Sequence, residues 1–282
     1  MRHPMHDGGQ DVGGGFADAL RWLLPLLGLL ATAGAYLLLV RRARHRNPAL
    51  DWSGWRIGWF MGGTLLLGIA LLPPVAPLAH GDFRGHMTQH LLIGMYAPLL
   101  LVLAAPVTLL LRALPPPQGR RLTALLRSLP VRMVTHPAVA LALSTGSLVV
   151  LYFTPLYNAT VNSQLAHGLL HTHFLLSGCL FACVIAGPDP VPSRPSVRAR
   201  LLYLGVAVAA HAVISQLMYG GLWADIHAPI HQVRAGAEIM YYGGDVAELL
   251  LAAALVATWR PEPRRAATAK SATGQPRGSV TA

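Results

Sequence analysis

Apolar residues in this chain come in blocks too long for the core of a soluble domain. "LRWLLPLLGLLATAGAYLLLV" (20–40) and "HLLIGMYAPLLLVLAAPVTLLL" (90–111) each run for about the twenty residues a helix needs to cross a bilayer. Seven such blocks can be drawn, at 20–40, 57–74, 87–111, 137–155, 164–186, 200–222 and 236–259. Only 12% of residues are charged, about half the share usual in soluble domains. In hydrocarbon every backbone polar group must be satisfied internally, which excludes an open sheet, and the blocks are too uniformly apolar for barrel strands. The reading is an all-α polytopic membrane protein, a bundle of seven transmembrane helices. Pro25, Pro98 and Pro106 fall inside blocks, and spanning helices tolerate them where neighbours satisfy the freed carbonyls.

A net charge of +11 in another chain would suggest nucleic acid. Here the charge is laid out by membrane side. Arg41, Arg42, Arg44, Arg46 and Arg56 form one group, and Arg112, Arg120, Arg121, Arg127 and Arg132 a second. Arg194, Arg198 and Arg200 form a third, with Arg260, Arg264, Arg265, Lys270 and Arg277 the last. These groups occupy alternate loops and hold eighteen of the twenty-two basic residues. The positive-inside rule then sets the N-terminus outside and the C-terminus in the cytoplasm, with the lipid bilayer as partner and no nucleic acid. Residues 1–19 read as a Gly-rich outer tail rather than a signal peptide, since their start is acidic more than basic. Residues 20–259 form the membrane domain, and 260–282 read as a disordered, basic cytoplasmic tail. "GRRLTALLRSLPVRM" (119–133) sets leucines against arginines and reads as an amphipathic helix on the inner surface. Cys179 and Cys183, four apart in the fifth block, read as small packing residues.

Histidine is distributed as unevenly as charge. In this orientation ten of the thirteen fall on the outer side or in the outer third. His86 and His90 open the third span, His167 and His171 open the fifth, and His227 and His231 precede the seventh, each pair four residues apart. His3 and His6 lie in the tail, and His80 precedes the third span. A lone membrane histidine more often bonds a neighbouring helix. Imidazoles at i and i+4 share a helix face, however, and neutral imidazole is the commonest nitrogen ligand for transition metals. Three such pairs on one side favour metal binding.

Further polar positions follow in the last two spans. His211, Ser215 and Met218 share a face of the sixth. Glu238, Tyr242, Asp245 and Glu248 form a stripe on the seventh, where intramembrane acids mark a functional path and can carry protons released when imidazoles take a cation. A structural zinc site would be tetrahedral and closed. Thioethers select Cu(I), and Met87, Met218 and Met240 lie among these residues, so copper, as Cu(I), is favoured.

"HMTQHLLIGMYAPLLLVLAAP", with His86, Met87, His90, Pro98 and Pro106, resembles the multi-spanning CtaG-type cytochrome c oxidase assembly factors. "HGLLHTHFLLSGCLFACVIAGPDPVP" extends the likeness through His167, His171, Gly178 and the run from Gly187 to Pro190. Before the last span the sequence departs from the family pattern, with His231–Gln232 in place of an Asp-Gln pair and Tyr241 where Trp is usual. The resemblance implies a seven-helix, non-enzymatic factor of the bacterial cytoplasmic membrane. Its partners would be heme–copper oxidase subunits and a periplasmic copper donor. A transporter using His211, Asp245 and Glu248, or a heme-handling protein with axial histidines, stand as alternatives. A retinal protein is excluded because Lys270, in the tail, is the single lysine.

Overall fold

The computed structural model describes residues 12–49, 51–161, 163–192 and 194–259, and among these no strand occurs. The tail histidines His3 and His6 and the segment 260–282 lie outside the described residues. In chain order the helices are α1 (Val12–Arg46), α2 (Gly54–Leu71), α3 (Val75–Gly81), α4 (Phe83–Leu103), α5 (Pro106–Ala113) and α6 (Pro116–Leu126). They continue with α7 (Leu129–Val134), α8 (Pro137–Tyr152), α9 (Leu156–Val161), α10 (Gln164–Ala186), α11 (Val197–Gly220) and α12 (Ile230–Ala257).

Six helices are long and apolar enough to cross a membrane: α1 from Trp22 onward, α2, α4, α10, α11 and α12. The fourth block, expected over 137–155, gives a shorter element. At 1.5 Å per residue α8 rises roughly 24 Å, against about 30 Å of hydrocarbon. The chain bends at 153–155 before α9 begins. The third block, expected to run unbroken over 87–111, stops at Leu103. Pro106 brings no N–H and restricts the residue before it. Ala105 takes a left-handed conformation (φ 53°), and α5 starts afresh at Pro106. The segment 119–133 is helical in α6 and most of α7, with Leu125 and Leu129 exposed.

Start signals are local. Asp82 accepts from the Arg84 N–H at the head of α4, Ser163 from Ala166 in α10, and Ser196 from Ala199 in α11. Within the bundle α4 is the hub, packing against α2, α3, α10 and α12, while α11 lies along α12. Of the stretch that would cross hydrocarbon, 56% is buried by protein in α4 and 11% in α1, so α4 is central and α1 peripheral. A bundle without water between its helices gains little from hydrophobicity alone and is held by close packing and hydrogen bonds. One lock joins α1, α2 and the end of α4. The Tyr36 ring stacks on Phe60, and its hydroxyl accepts from Trp52 Nε1 and donates to the Ala104 carbonyl, both at 3.1 Å. A second lock is the buried Asp189, whose carboxylate accepts from the Val107 and Thr108 N–H groups at 3.0 and 2.8 Å and from the Thr108 hydroxyl at 2.6 Å. It satisfies the orphan donors at the start of α5 and complements the helix dipole.

Candidate functional site

Backbone meets backbone closely where α4 and α10 cross. Pro98 has no N–H to offer the Gly94 carbonyl one turn earlier. In the same stretch α4 widens into a π-type turn over Leu92–Tyr96. A Cβ on Gly178 would stand 2.1 Å from the Gly94 oxygen, so only glycine lets α10 come this near. The crossing brings the histidine-bearing faces of the two helices together. His86, at the start of α4, lies with its ring centroid 6.0 Å from that of His167, at the start of α10, and His167 is 4.3 Å from His171. His86 and His167 are both buried.

Aromatic side chains enclose His86. Its Nε2 is 3.2 Å from the Tyr152 hydroxyl, and the rings of Tyr157 and Phe83 stand 5.0 and 5.9 Å from it. The Tyr152 hydroxyl also lies 4.0 Å from the sulfur of Met87. Met87, Met218 and Met240 are fully buried members of one core cluster with Phe83, Tyr152 and Tyr157. Over this box the loop preceding α12 is tied down. The Asp225 N–H donates to the Tyr152 carbonyl at 2.9 Å, and Asn158 binds the Asp225 carbonyl and accepts from the His227 N–H.

His90, one turn below His86, turns to a different place. It packs edge-on against Phe174, with centroids 4.5 Å apart, and lines a mostly apolar cavity. Two other polar lining residues, His211 of α11 and Glu248 of α12, are also buried, with His211 Nδ1 at 3.8 Å from Glu248 Oε1. His211 lies flat against Gly244, where an added Cβ would meet its ring at 2.0 Å. His90 and His211 thus line one cavity. The histidines therefore form a ladder, from the aromatic box at the heads of α4 and α10 to the cavity between α4, α11 and α12.

Other sequence candidates lie elsewhere. His227 is exposed and pairs with Asp225 at 3.3 Å, and His231 is exposed near Asp82. The Asp82 carboxyl is held below the usual carboxylate range, chiefly by its hydrogen bond from the Arg84 side chain. Glu238 and Tyr242 are exposed on another face of α12, where with Ser215, Gln216 and Tyr219 they line a separate surface pocket. Asp245 is half-buried, three residues before Glu248 on α12. Cys179 and Cys183 are free thiols packed against the apolar cluster around Phe181 and Ile185. Among the described residues no three or more His, Cys, Asp or Glu side chains converge as a ready metal-holding group. Tyr152, Tyr157, Phe83 and Phe174 were not singled out from sequence. The one available signal was a tyrosine pair in "VVLYFTPLY", polar hydroxyls inside or beside an apolar block.

Helices of this length around a buried ladder of imidazoles define a multi-pass membrane protein with a polar interior. The chain belongs to the cytochrome c oxidase caa3 assembly factor family, which it matches over residues 34–262. It is 32% identical over 263 residues to uncharacterized proteins of Mycobacterium bovis and Mycobacterium tuberculosis, and 29% identical over 243 residues to one of Mycobacterium leprae. These alignments take in 85%, 85% and 79% of this chain but 40%, 40% and 37% of the mycobacterial proteins, so it spans well under half the length of those relatives. No solved structure matches it.

Proposed function

We propose that this protein assists assembly of a heme–copper cytochrome c oxidase in a bacterial cytoplasmic membrane by holding Cu(I), as cargo, near the outer face. It takes the ion from a periplasmic copper donor and passes it to an oxidase subunit. The role is binding and transfer, not catalysis. In this reading α8 completes seven spans, the N-terminus is outside and the C-terminus cytoplasmic, following the distribution of basic residues.

The observation that carries the proposal is the meeting of His86 and His167 from two different helices, 6.0 Å between ring centroids. Metal–nitrogen bonds of about 2.0 Å place the centroids of two imidazoles sharing one ion roughly 5–6 Å apart. Cu(I) accepts few ligands and favours soft ones, so two imidazoles with the Met87 thioether nearby suit it better than zinc, which would ask for a closed tetrahedron. Coordination this open suits a carrier that must release its ion. His171, against His167, supplies a further nitrogen within the same group. The surrounding aromatic residues exclude water and keep the imidazoles oriented.

Protein purified without a polyhistidine tag, titrated with Cu(I) against a colorimetric chelator, tests this. His86→Ala and His167→Ala are each expected to weaken one equivalent at least tenfold. A strain carrying either variant as its only copy should build oxidase poor in copper. If both variants bind copper as the wild type does, the assignment is wrong.

A further inference from the structure

The cavity at the lower end of the ladder is a separate site. Its wall is mostly apolar, built from residues such as Leu99, Leu148, Phe181 and Leu251, yet three buried polar atoms have no hydrogen-bond partner: His90 Nδ1, His211 Nε2 and Glu248 Oε2. The three residues are 6%, 3% and 6% exposed, so bulk water does not serve them. Leaving such atoms unpaired is costly, most of all for a carboxylate. Both π-type turns among the described residues border this space. Gly94 and Met95 come from the first, and Ser144 and Thr145 from the second, over Ala142–Gly146 in α8. Wide turns of this kind are uncommon and recur at functional sites.

From this geometry we propose that His211 and Glu248 form a second, deeper binding site for a soft monovalent cation, with His90 on the facing wall of the same cavity. The other donor atoms of the two groups, His211 Nδ1 and Glu248 Oε1, face each other 3.8 Å apart, too far for a hydrogen bond but close to what two donors show when one ion bridges them, about 2.0 Å from each and bent at the metal. One positive charge balances one carboxylate, which removes the main cost of burying Glu248 among apolar side chains. Gly244 fixes the imidazole, since the ring occupies the volume that any larger residue would fill. The His211–Glu248 pair lies on α11 and α12, so it stands apart from the His86–His167 assignment on α4 and α10.

Silver(I), a redox-silent soft cation, is the probe. Full-length protein in detergent is equilibrated with it by dialysis, and bound metal is counted for wild type, His211→Gln, Glu248→Gln and the double variant His86→Ala/His167→Ala. Glu248→Gln and His211→Gln are each expected to lose one equivalent while the equivalent assigned to His86 and His167 stays. The double variant should lose the other. X-ray absorption of silver bound to the double variant should report a nitrogen–oxygen shell without sulfur. If Glu248→Gln and His211→Gln, eluting as folded monodisperse protein, bind as much silver as the wild type, the deeper site does not exist. If the double variant alone is unchanged, the deeper site stands and the outer pair fails. Gly244→Ala keeps every donor, so loss of the same equivalent there ties the site to the position of the His211 ring, and retention refutes the geometry.

Discussion

Replacing Gly178 by alanine tests whether the α4–α10 crossing holds the histidines together. The new Cβ would lie 2.1 Å from the Gly94 oxygen, 2.9 Å from the Gly94 carbonyl carbon and 3.0 Å from Pro98 Cγ. Folded proteins do not show Cβ contacts under about 3 Å, so the helices must part by roughly 1 Å. Two of these neighbours are backbone and the third is a proline ring, so no rotamer change relieves the clash. Overpacking usually costs about 1–3 kcal/mol, and a rigid backbone contact belongs at the upper end, near 3 kcal/mol. The control is Gly168→Ala on the same helix, where an added Cβ meets nothing within 4 Å. That change should be neutral or stabilising by up to about 1 kcal/mol, because alanine is the better helix former. Both variants are measured by thermal unfolding in detergent beside Cu(I) titration. Gly178→Ala should unfold earlier and bind Cu(I) more weakly, since parting the helices near Gly94 also widens the His86–His167 gap. If Gly178→Ala matches Gly168→Ala in both assays, the crossing does not set the site.

Two further outcomes follow from single contacts. Asp189→Ala removes three acceptor contacts from the buried start of α5, and with charged hydrogen bonds at about 1.5–3 kcal/mol each, partly offset by relaxation, unfolding stability should fall by about 2–4 kcal/mol. Asp189→Asn, which keeps one oxygen, should fall less, and equal losses would contradict the capping role. Tyr152→Phe removes the hydroxyl 3.2 Å from His86 Nε2 and should weaken Cu(I) binding roughly tenfold through loss of ring orientation. Tighter binding would mean that the hydroxyl competes with copper for His86 Nε2.

The helical class was legible because hydrocarbon imposes one solution on the backbone, and block length alone gives the spans. The breaks were less legible. Pro98 and Pro106 look alike in sequence, but the helix passes through the first with a widened turn and stops before the second. What separates them is tertiary. Asp189, more than eighty residues away, waits with acceptors for the donors exposed when α5 restarts, which makes the break after Leu103 affordable in free energy. The role of the run from Gly187 to Pro190 as a clasp on a distant helix is therefore invisible until the fold is assembled.

Histidine spacing carried a different ambiguity. Residues at i and i+4 share a face but stand about 6 Å apart along the axis, so a pair either grips one ion or serves two depths. His86 and His90 do the second: the first turns into the aromatic box with His167, the second into the cavity with His211. Periodicity could not separate these readings, because the choice depends on which neighbouring helix crosses at each level. Glu238 and Glu248 show the same point on α12. Ten residues along a helix of 3.6 per turn place them about 80° apart, far enough for Glu248 to enter the bundle while Glu238 faces out. A stripe of polar residues thus divides between surface and interior, and the interior member is the one that meets an imidazole.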